Sequence, residues 1–270
     1  MDTFQSYLDT VQKIACNAGE KILEVYQSDF TVEKKDDQTP VTQADIAANR
    51  IILDGLKALT PEIPVISEEE GLASFDERST WSRYWLVDPL DGTREFIQKN
   101  GEFTVNIALI DKQQPILGVV YAPVLELMYY ALKGGGSYKL SANQPAEKIQ
   151  VASECVKPIR VAGSQSFTSN EFITFVRNLP DCEVINLGSA LKSCLVAEGG
   201  ADIYPRFGLT SEWDTAATQC ILEEAGGYLV DLNLQPLRYN TKDSLLNPHF
   251  FAYGDDSVDW PSYCAEHLTD

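Results

Sequence analysis

Trp85-Leu86-Val87-Asp88-Pro89-Leu90-Asp91-Gly92-Thr93 decides how the rest of the chain is read. Trp85-Leu86-Val87 is a short apolar run of the kind that forms a buried strand. It delivers Asp88, and a Pro-containing turn then carries Asp91. Two aspartates three apart on such a turn can point to one side. Pro89 fixes one backbone angle, so the Leu90 carbonyl can be aimed as a further oxygen. Gly92 lets the backbone approach a ligand closely, and the Gly92 and Thr93 amides can face an anion. An isolated Asp-Gly is simply a turn. The full hexapeptide behind a buried strand favours a hard-cation site, because Mg²⁺ takes several oxygens in octahedral array.

Upstream, Phe4, Leu8, Val11, Ile14, Ala18, Ile22 and Val25 recur at helical spacing. A charged stretch follows at 33–39, and Lys34-Lys35-Asp36-Asp37-Gln38 reads as a loop. A second helix is expected from Thr42, opened by Thr42-Gln43-Ala44-Asp45 as a capping box with Asp in place of Glu, and ending before Pro61. Pro64-Val65-Ile66 reads as a strand that delivers Ser67-Glu68-Glu69-Glu70. Taken alone, those glutamates are a solvated run that starts a helix.

Downstream, residues 103–110, 116–122 and 126–132 predict an antiparallel meander. Residues 115–132 are the most apolar stretch, but Gly118, Pro123 and Glu126 make it two strands and a turn, not a membrane span. Beyond about 145 the pattern alternates. Strands are expected at 159–162, 184–185 and 201–204, and helices at 169–178, 189–198 and 214–225, the last stopped by Gly226-Gly227. Trp213-Asp214-Thr215-Ala216-Ala217 opens that last helix, where Asp214 is most simply a first-turn acid. The fold class is therefore mixed α/β: one domain of two halves. Residues 1–144 form an antiparallel-rich half bearing Glu68, Asp88 and Asp91, and residues 145–270 an alternating half bearing Asp214.

Composition narrows the function. The 270 residues are 44% hydrophobic, which rules out global disorder, and carry 40 acids against 21 bases for a net charge of −19. Such a surface repels a phosphate backbone, so nucleic acid is excluded as a partner. It also repels a phosphorylated small molecule unless carboxylate-held cations reverse the local sign. Six cysteines without a Cys-x-x-Cys pair fit a reducing compartment. His249 and His267 do not make a zinc site. Met1-Asp2-Thr3 opens without a basic leader, so no signal peptide and no transmembrane segment are expected.

Each acidic element has an ordinary explanation by itself, yet four of them occur in one acidic chain, three at element ends. Together they resemble the inositol monophosphatase superfamily of Mg²⁺-dependent, lithium-sensitive phosphatases. Its two motifs stand here as residues 85–93 and 213–217, supported by Pro40-Val41-Thr42-Gln43-Ala44-Asp45 and Ile66-Ser67-Glu68-Glu69. Within it the chain is similar to the bacterial 3′(2′),5′-bisphosphate nucleotidases of the CysQ type, on residues 83–97, 100–110, 115–123, 191–199 and 204–208. It departs from them at Ser164-Gln165-Ser166-Phe167, where that group often has Ser-Arg-Ser-His and this chain lacks the cation.

The resemblance implies a layered αβαβα sugar-phosphatase fold and two or three Mg²⁺ ions. Glu68, Asp88 and the Leu90 carbonyl would hold the first ion, and Asp88, Asp91 and Asp214 the second. Asp45 and Thr93 would orient the attacking water. Gly92, Thr93, Gly188, Ser189, Lys192 and Arg206 are the expected substrate contacts, beside the ligands themselves. Lys192 is as readily a solvated helix lysine facing nothing. The implied reaction is hydrolysis of adenosine 3′,5′-bisphosphate to AMP and phosphate during sulfate assimilation, with PAPS as a second substrate. The implied location is the cytoplasm or the cytoplasmic face of the inner membrane. Two alternatives stay open: an inositol-1-phosphate or sugar-phosphate phosphatase, and a non-catalytic acidic binder of divalent cations.

Overall fold

The computed structural model describes residues 3–28, 32–34, 40–164, 169–265 and 268. Helix α1 (Thr3–Tyr26) leads to an antiparallel pair, β1 (Val32–Lys34) and β2 (Pro40–Thr42), then α2 (Gln43–Leu59). Next come β3 (Val65–Ser67), the short α3 (Phe75–Arg78), β4 (Arg83–Asp91) and the short α4 (Thr93–Ile97). The meander follows as β5 (Thr104–Asp111), β6 (Gln114–Ala122), β7 (Leu127–Leu132), β8 (Gly136–Ser141) and β9 (Glu147–Ile149). Strands β3 to β9 lie in sequence order in one seven-stranded sheet, antiparallel except where β3 runs parallel to β4.

A second sheet of five strands has the order β11-β10-β12-β14-β13, from β10 (Ile159–Gly163), β11 (Cys182–Asn186), β12 (Ile203–Arg206), β13 (Tyr228–Asp231) and β14 (Phe250–Tyr253). Helices α5 (Asn170–Asn178), α6 (Leu191–Ala197) and α7 (Glu212–Glu224) connect these strands.

The layering follows from side-chain alternation along each strand. Trp85 and Val87 point with Ile107, Leu109 and Val119 into a core shared with Leu8, Val11 and Ile22 of α1 and Ala48, Ile52 and Leu56 of α2. Their neighbours Tyr84 and Leu86 face the other way, onto Cys194 of α6, Ile221 of α7 and Phe250 of the second sheet. The second sheet turns Val161, Ile203 and Phe251 outward onto Phe175 of α5 and Trp260. The result is five layers, αβαβα. Both faces of β4 are covered, which explains why its run Tyr84-Trp85-Leu86-Val87 is continuously apolar rather than alternating. Helix α7 approaches the first sheet so closely that a Cβ on Gly118 of β6 would lie 2.3 Å from the Ala217 carbonyl oxygen. Only glycine fits there.

The structure revises the reading of the opening stretch. The hexapeptide is not a turn beyond the strand; β4 continues through it to Asp91. Pro89 has no N–H for the ladder. Asp88 pairs with Asn106 and Asp91 with Thr104, so three steps on β4 match two on β5. That extra residue is a β-bulge. The bulge has a consequence for chemistry: residues three apart on a regular strand face opposite sides, and one inserted residue returns Asp91 to the side of Asp88. The last helix starts at Glu212, capped by Ser211, two residues before the start expected at Asp214. Helices α3 and α4 and strands β1, β2, β9, β13 and β14 were not expected from the sequence, and Lys34, read as loop, ends β1. Residues 35–39 of the expected loop, and 165–167 of Ser164-Gln165-Ser166-Phe167, lie outside the described residues. Among the described residues no helix is long and apolar enough to cross a membrane.

Candidate active site

Strand β3 ends beside Val87, just before the aspartates that β4 goes on to carry, and α7 packs against β4. Asp88 is buried, Asp91 and Asp214 are half-buried, and each offers an oxygen within 4.8 Å of the others. Local bonds aim each one. The Leu90 amide donates to Asp88 Oδ1 at 3.0 Å. Asn106 Nδ2 donates to Asp91 Oδ2 at 3.4 Å. The Ser211 amide donates to Asp214 Oδ2 at 2.8 Å, so Asp214 caps its own helix with one oxygen and can present the other. Glu68 leaves β3 with its amide on the Val87 carbonyl at 3.2 Å, which sets it beside Asp88. Behind it, Ser67 Oγ donates to Asn49 Oδ1 at 2.7 Å and Asn49 Nδ2 to Glu70 Oε1 at 2.8 Å.

The electrostatics are those of an acid cluster in want of a cation. Burial, then Glu68, Asp91 and Asp214, push the Asp88 carboxyl well above the ordinary carboxylate range. Burial and then Asp91 do the same to Asp214. Burial pushes Asp91 up to about 6, with Lys192 and Asn106 opposing. Several hard, anionic oxygens held close together in a buried cleft are the donor set that suits a divalent cation such as Mg²⁺, so these residues fit the ion.

Asp45 and Thr93 meet beside the cluster. Asp45 Oδ2 accepts from the Thr42 amide at 2.8 Å and from Thr42 Oγ1 at 2.7 Å, completing the capping box of α2. Its other oxygen accepts from Thr93 Oγ1 at 3.3 Å. Gly92 precedes Thr93 with φ at 91°, and a Cβ there would sit 3.2 Å from Ser189 Cβ. The left-handed turn thus needs glycine and swings Thr93 to the head of α4.

With this geometry in place, the comparison with known proteins is direct: residues 4–255 match the Inositol monophosphatase family. The chain belongs to the inositol monophosphatase family. It is 49% identical over 245 residues to the 3′(2′),5′-bisphosphate nucleotidase CysQ of Salmonella typhimurium, covering 90% of this chain and 98% of that one. It is 42% identical over 258 residues to the CysQ of Haemophilus influenzae, covering 94% and 95%. A crystal structure of CysQ from Bacteroides thetaiotaomicron superposes with a TM-score of 0.80 at 38% identity, over 93% of this chain and 98% of that one.

In this family member a cleft of about 660 Å³ opens over the acids, and its lining includes Asp91, Gly92, Ser189, Lys192, Arg206 and Asp214. Lys192 is not a solvated helix lysine. It is buried, and Nζ donates to the Ser189 carbonyl at 2.6 Å and the Leu187 carbonyl at 3.4 Å, 5.3 Å from the centre of the Tyr204 ring. Burial lowers its pKa to about 8, with Asp91 opposing. Arg206 Nη2 donates to the Leu209 carbonyl at 3.1 Å and holds the cleft's outer loop. The Gly188 amide, expected to face an anion, instead donates to Glu102 Oε2 at 2.8 Å. The 188–189 turn is packed against Glu102, so its first amide is taken inside the protein.

The sequence reading gave no role to Asn106, Thr104, Asn49 or Glu102. For the first two a signal was present. Thr104 and Asn106 are polar at alternate positions of an otherwise apolar strand, and Thr104 Oγ1 lies 2.9 Å from Asn106 Oδ1 and 3.4 Å from Ser189 Oγ.

Proposed function

We propose that this chain is a Mg²⁺-dependent 3′(2′),5′-bisphosphate nucleotidase. It hydrolyses adenosine 3′,5′-bisphosphate to AMP and phosphate, with PAPS as a second substrate, as a step of sulfur assimilation in the cytoplasm. We propose further that it works as a single catalytic domain of two halves divided near residue 144. The observation that carries the reading is the convergence of Asp88, Asp91 and Asp214 under a cleft that also holds Lys192 and Arg206. An inositol phosphatase needs only the first part. A bisphosphate presents a second anion away from the acids, and the two cations supply its partners in a chain of net charge −19. The identity to the CysQ proteins supports the same choice.

Glu68, Asp88, Asp91, Asp214 and the Leu90 carbonyl would hold two Mg²⁺ ions, with a third not required by this donor set. When bound, the ions supply Lewis acidity: they make a water a better nucleophile near neutrality and stabilise the leaving oxygen. The Thr93 hydroxyl, which donates to Asp45, is left with lone pairs that can accept a proton from the attacking water. Asp45, raised above the ordinary carboxylate range first by burial, is suited to receive that proton through Thr93. Water attacks phosphorus, the bond from phosphorus to O3′ breaks, and O3′ leaves as the ribose hydroxyl by taking a proton from a solvent water, while Asp45 returns its proton to solvent. Gly92 and Ser189, at the two turns that meet across the cleft floor, border the phosphoryl group. Phosphate release from adenosine 3′,5′-bisphosphate and inositol 1-phosphate, measured side by side with and without chelator, tests the reading. A preference for inositol 1-phosphate would replace the nucleotidase with an inositol phosphatase, and release from neither would favour a cation binder.

A further inference from the structure

Arg78 is almost fully buried, at 2% exposure, and nothing in the proposed chemistry uses it. It ends α3, five residues before β4 begins. Its guanidinium reaches across to the 239–247 segment, which follows β13. Nη1 donates to the Asn240 side-chain oxygen and, at 3.2 Å, to the Lys242 carbonyl; Nη2 donates to the Asp243 carbonyl. Asn240 answers with Nδ2 on the Arg78 carbonyl at 2.6 Å. This is an expensive contact if stability were its purpose. Arg78 Nε and the nearby Tyr84 hydroxyl are buried with no hydrogen-bond partner among the described residues. The salt-bridge partner, Asp243, stands 3.6 Å away with its side chain 90% exposed. Replacing such buried ionic groups by apolar ones is often neutral or stabilising.

The segment that Arg78 grips wraps the first turn of α7. The Asn240 amide donates to Glu212 Oε2 at 2.8 Å. The Glu212 amide donates to the Leu245 carbonyl at 2.8 Å. Asn247 Nδ2 donates to the Ser211 carbonyl at 2.7 Å and contacts Thr215 Oγ1 at 3.0 Å. Asp214 lies inside that turn, one residue from Thr215 and two from Glu212. Asp88 and Asp91 belong to β4, and Asp214 to a helix on the far side of the same core.

We infer that Arg78 is a positioning residue: through Asn240 and the 239–247 segment it sets the first turn of α7, so that Asp214 closes the carboxylate cluster built on β4. The inference rests on the reading that this cluster holds divalent cations. It gives α3, a one-turn helix just upstream of β4, a purpose in the site without touching substrate.

Asn240 offers a clean break in the chain of contacts. Its φ is 56°, so glycine adopts its conformation freely. Asn240→Gly keeps the amide on Glu212 and removes only the bonds to Arg78. Binding of Mn²⁺, titrated calorimetrically, should weaken by about tenfold, the low end of what outer partners of metal ligands cost. Asn240→Asp, which keeps an acceptor for Arg78, should recover most of it. The deciding measurement is the pair with Asp214→Asn. If Arg78 acts through Asp214, then Asn240→Gly adds less than a twofold loss in that background. An unchanged Mn²⁺ affinity in Asn240→Gly overturns the inference, as does a loss undiminished by Asp214→Asn. Arg78→Met should behave like Asn240→Gly; should it fail to fold, the Asn240 variants still decide. Wild-type protein that binds no Mn²⁺, or binds it equally well as Asp91→Asn, would instead remove the cation reading itself.

Discussion

Asp91→Asn should make the cation-free protein more stable while ending its response to Mg²⁺. Burial holds the Asp91 carboxyl at about 6 against an ordinary 3.8, with Lys192 and Asn106 opposing. The unfolded chain releases that proton near pH 4 and the folded chain near pH 6. Between those values the folded state binds more protons, so unfolding free energy falls as pH rises, and the deficit persists above pH 6. At about 1.4 kcal/mol per unit the gap is about 3 kcal/mol. An amide does not titrate and escapes it. Part of the gain is returned because buried Lys192 loses its counter-ion. The net expectation is about 1–3 kcal/mol near pH 7.5, or about 3–10 °C in melting temperature for a chain of this size. Calorimetric melts in EDTA across pH 4 to 8 would measure it, with the difference vanishing near pH 4. In saturating MgCl₂ the order should reverse, because wild-type protein gains binding free energy that the variant lacks. The reasoning is refuted if Asp91→Asn melts below wild type in EDTA near pH 7.5, or if the gap is the same at pH 4.

Gly92→Ala should lose activity and about 1–2 kcal/mol of stability, because φ is 91° and the new methyl meets Ser189 Cβ at 3.2 Å; a normal melt with normal kcat would contradict the tight approach of these turns. Thr93→Val should lower kcat by about 10²-fold with little change in KM, the typical share of a proton-transfer group, and a KM effect alone would place Thr93 in binding. Lys192→Ala should raise KM for adenosine 3′,5′-bisphosphate by about ten- to a hundredfold, as for a hydrogen bond to a charged group, and less for adenosine 3′-phosphate; equal effects would move the second-phosphate role to Arg206. Li⁺ should inhibit uncompetitively or in mixed fashion where matched KCl does not, since Asp88, Asp91 and Asp214 suit a small hard ion that stabilises a leaving oxygen less than Mg²⁺ does; no difference between the salts would refute that use of the cluster.

What the sequence alone determined is whatever depends on local chemistry. Residues 85–87 read as a buried strand because apolar runs between turn residues have few other uses, and the amphipathic repeat from Phe4 to Val25 became α1. The acids that converge were legible as acids at element ends, and Thr42 with Asp45 as a helix start. What the sequence did not contain is direction. Asp88 and Asp91 face one side because β4 bulges against β5, and a bulge is a property of two strands in register. Lys192 looks on paper like any helix lysine; it is buried because α6 lies between two sheets. The Gly188 amide looks available until Glu102, 86 residues away in the chain, arrives to take it. Arg78 and Asn240 are 162 positions apart, and neither carries a local signal that the other exists. Burial and partner choice depend on what folding brings near. Periodicity and turn chemistry report each segment's own preference, and only the packed layers settle which donor meets which acceptor.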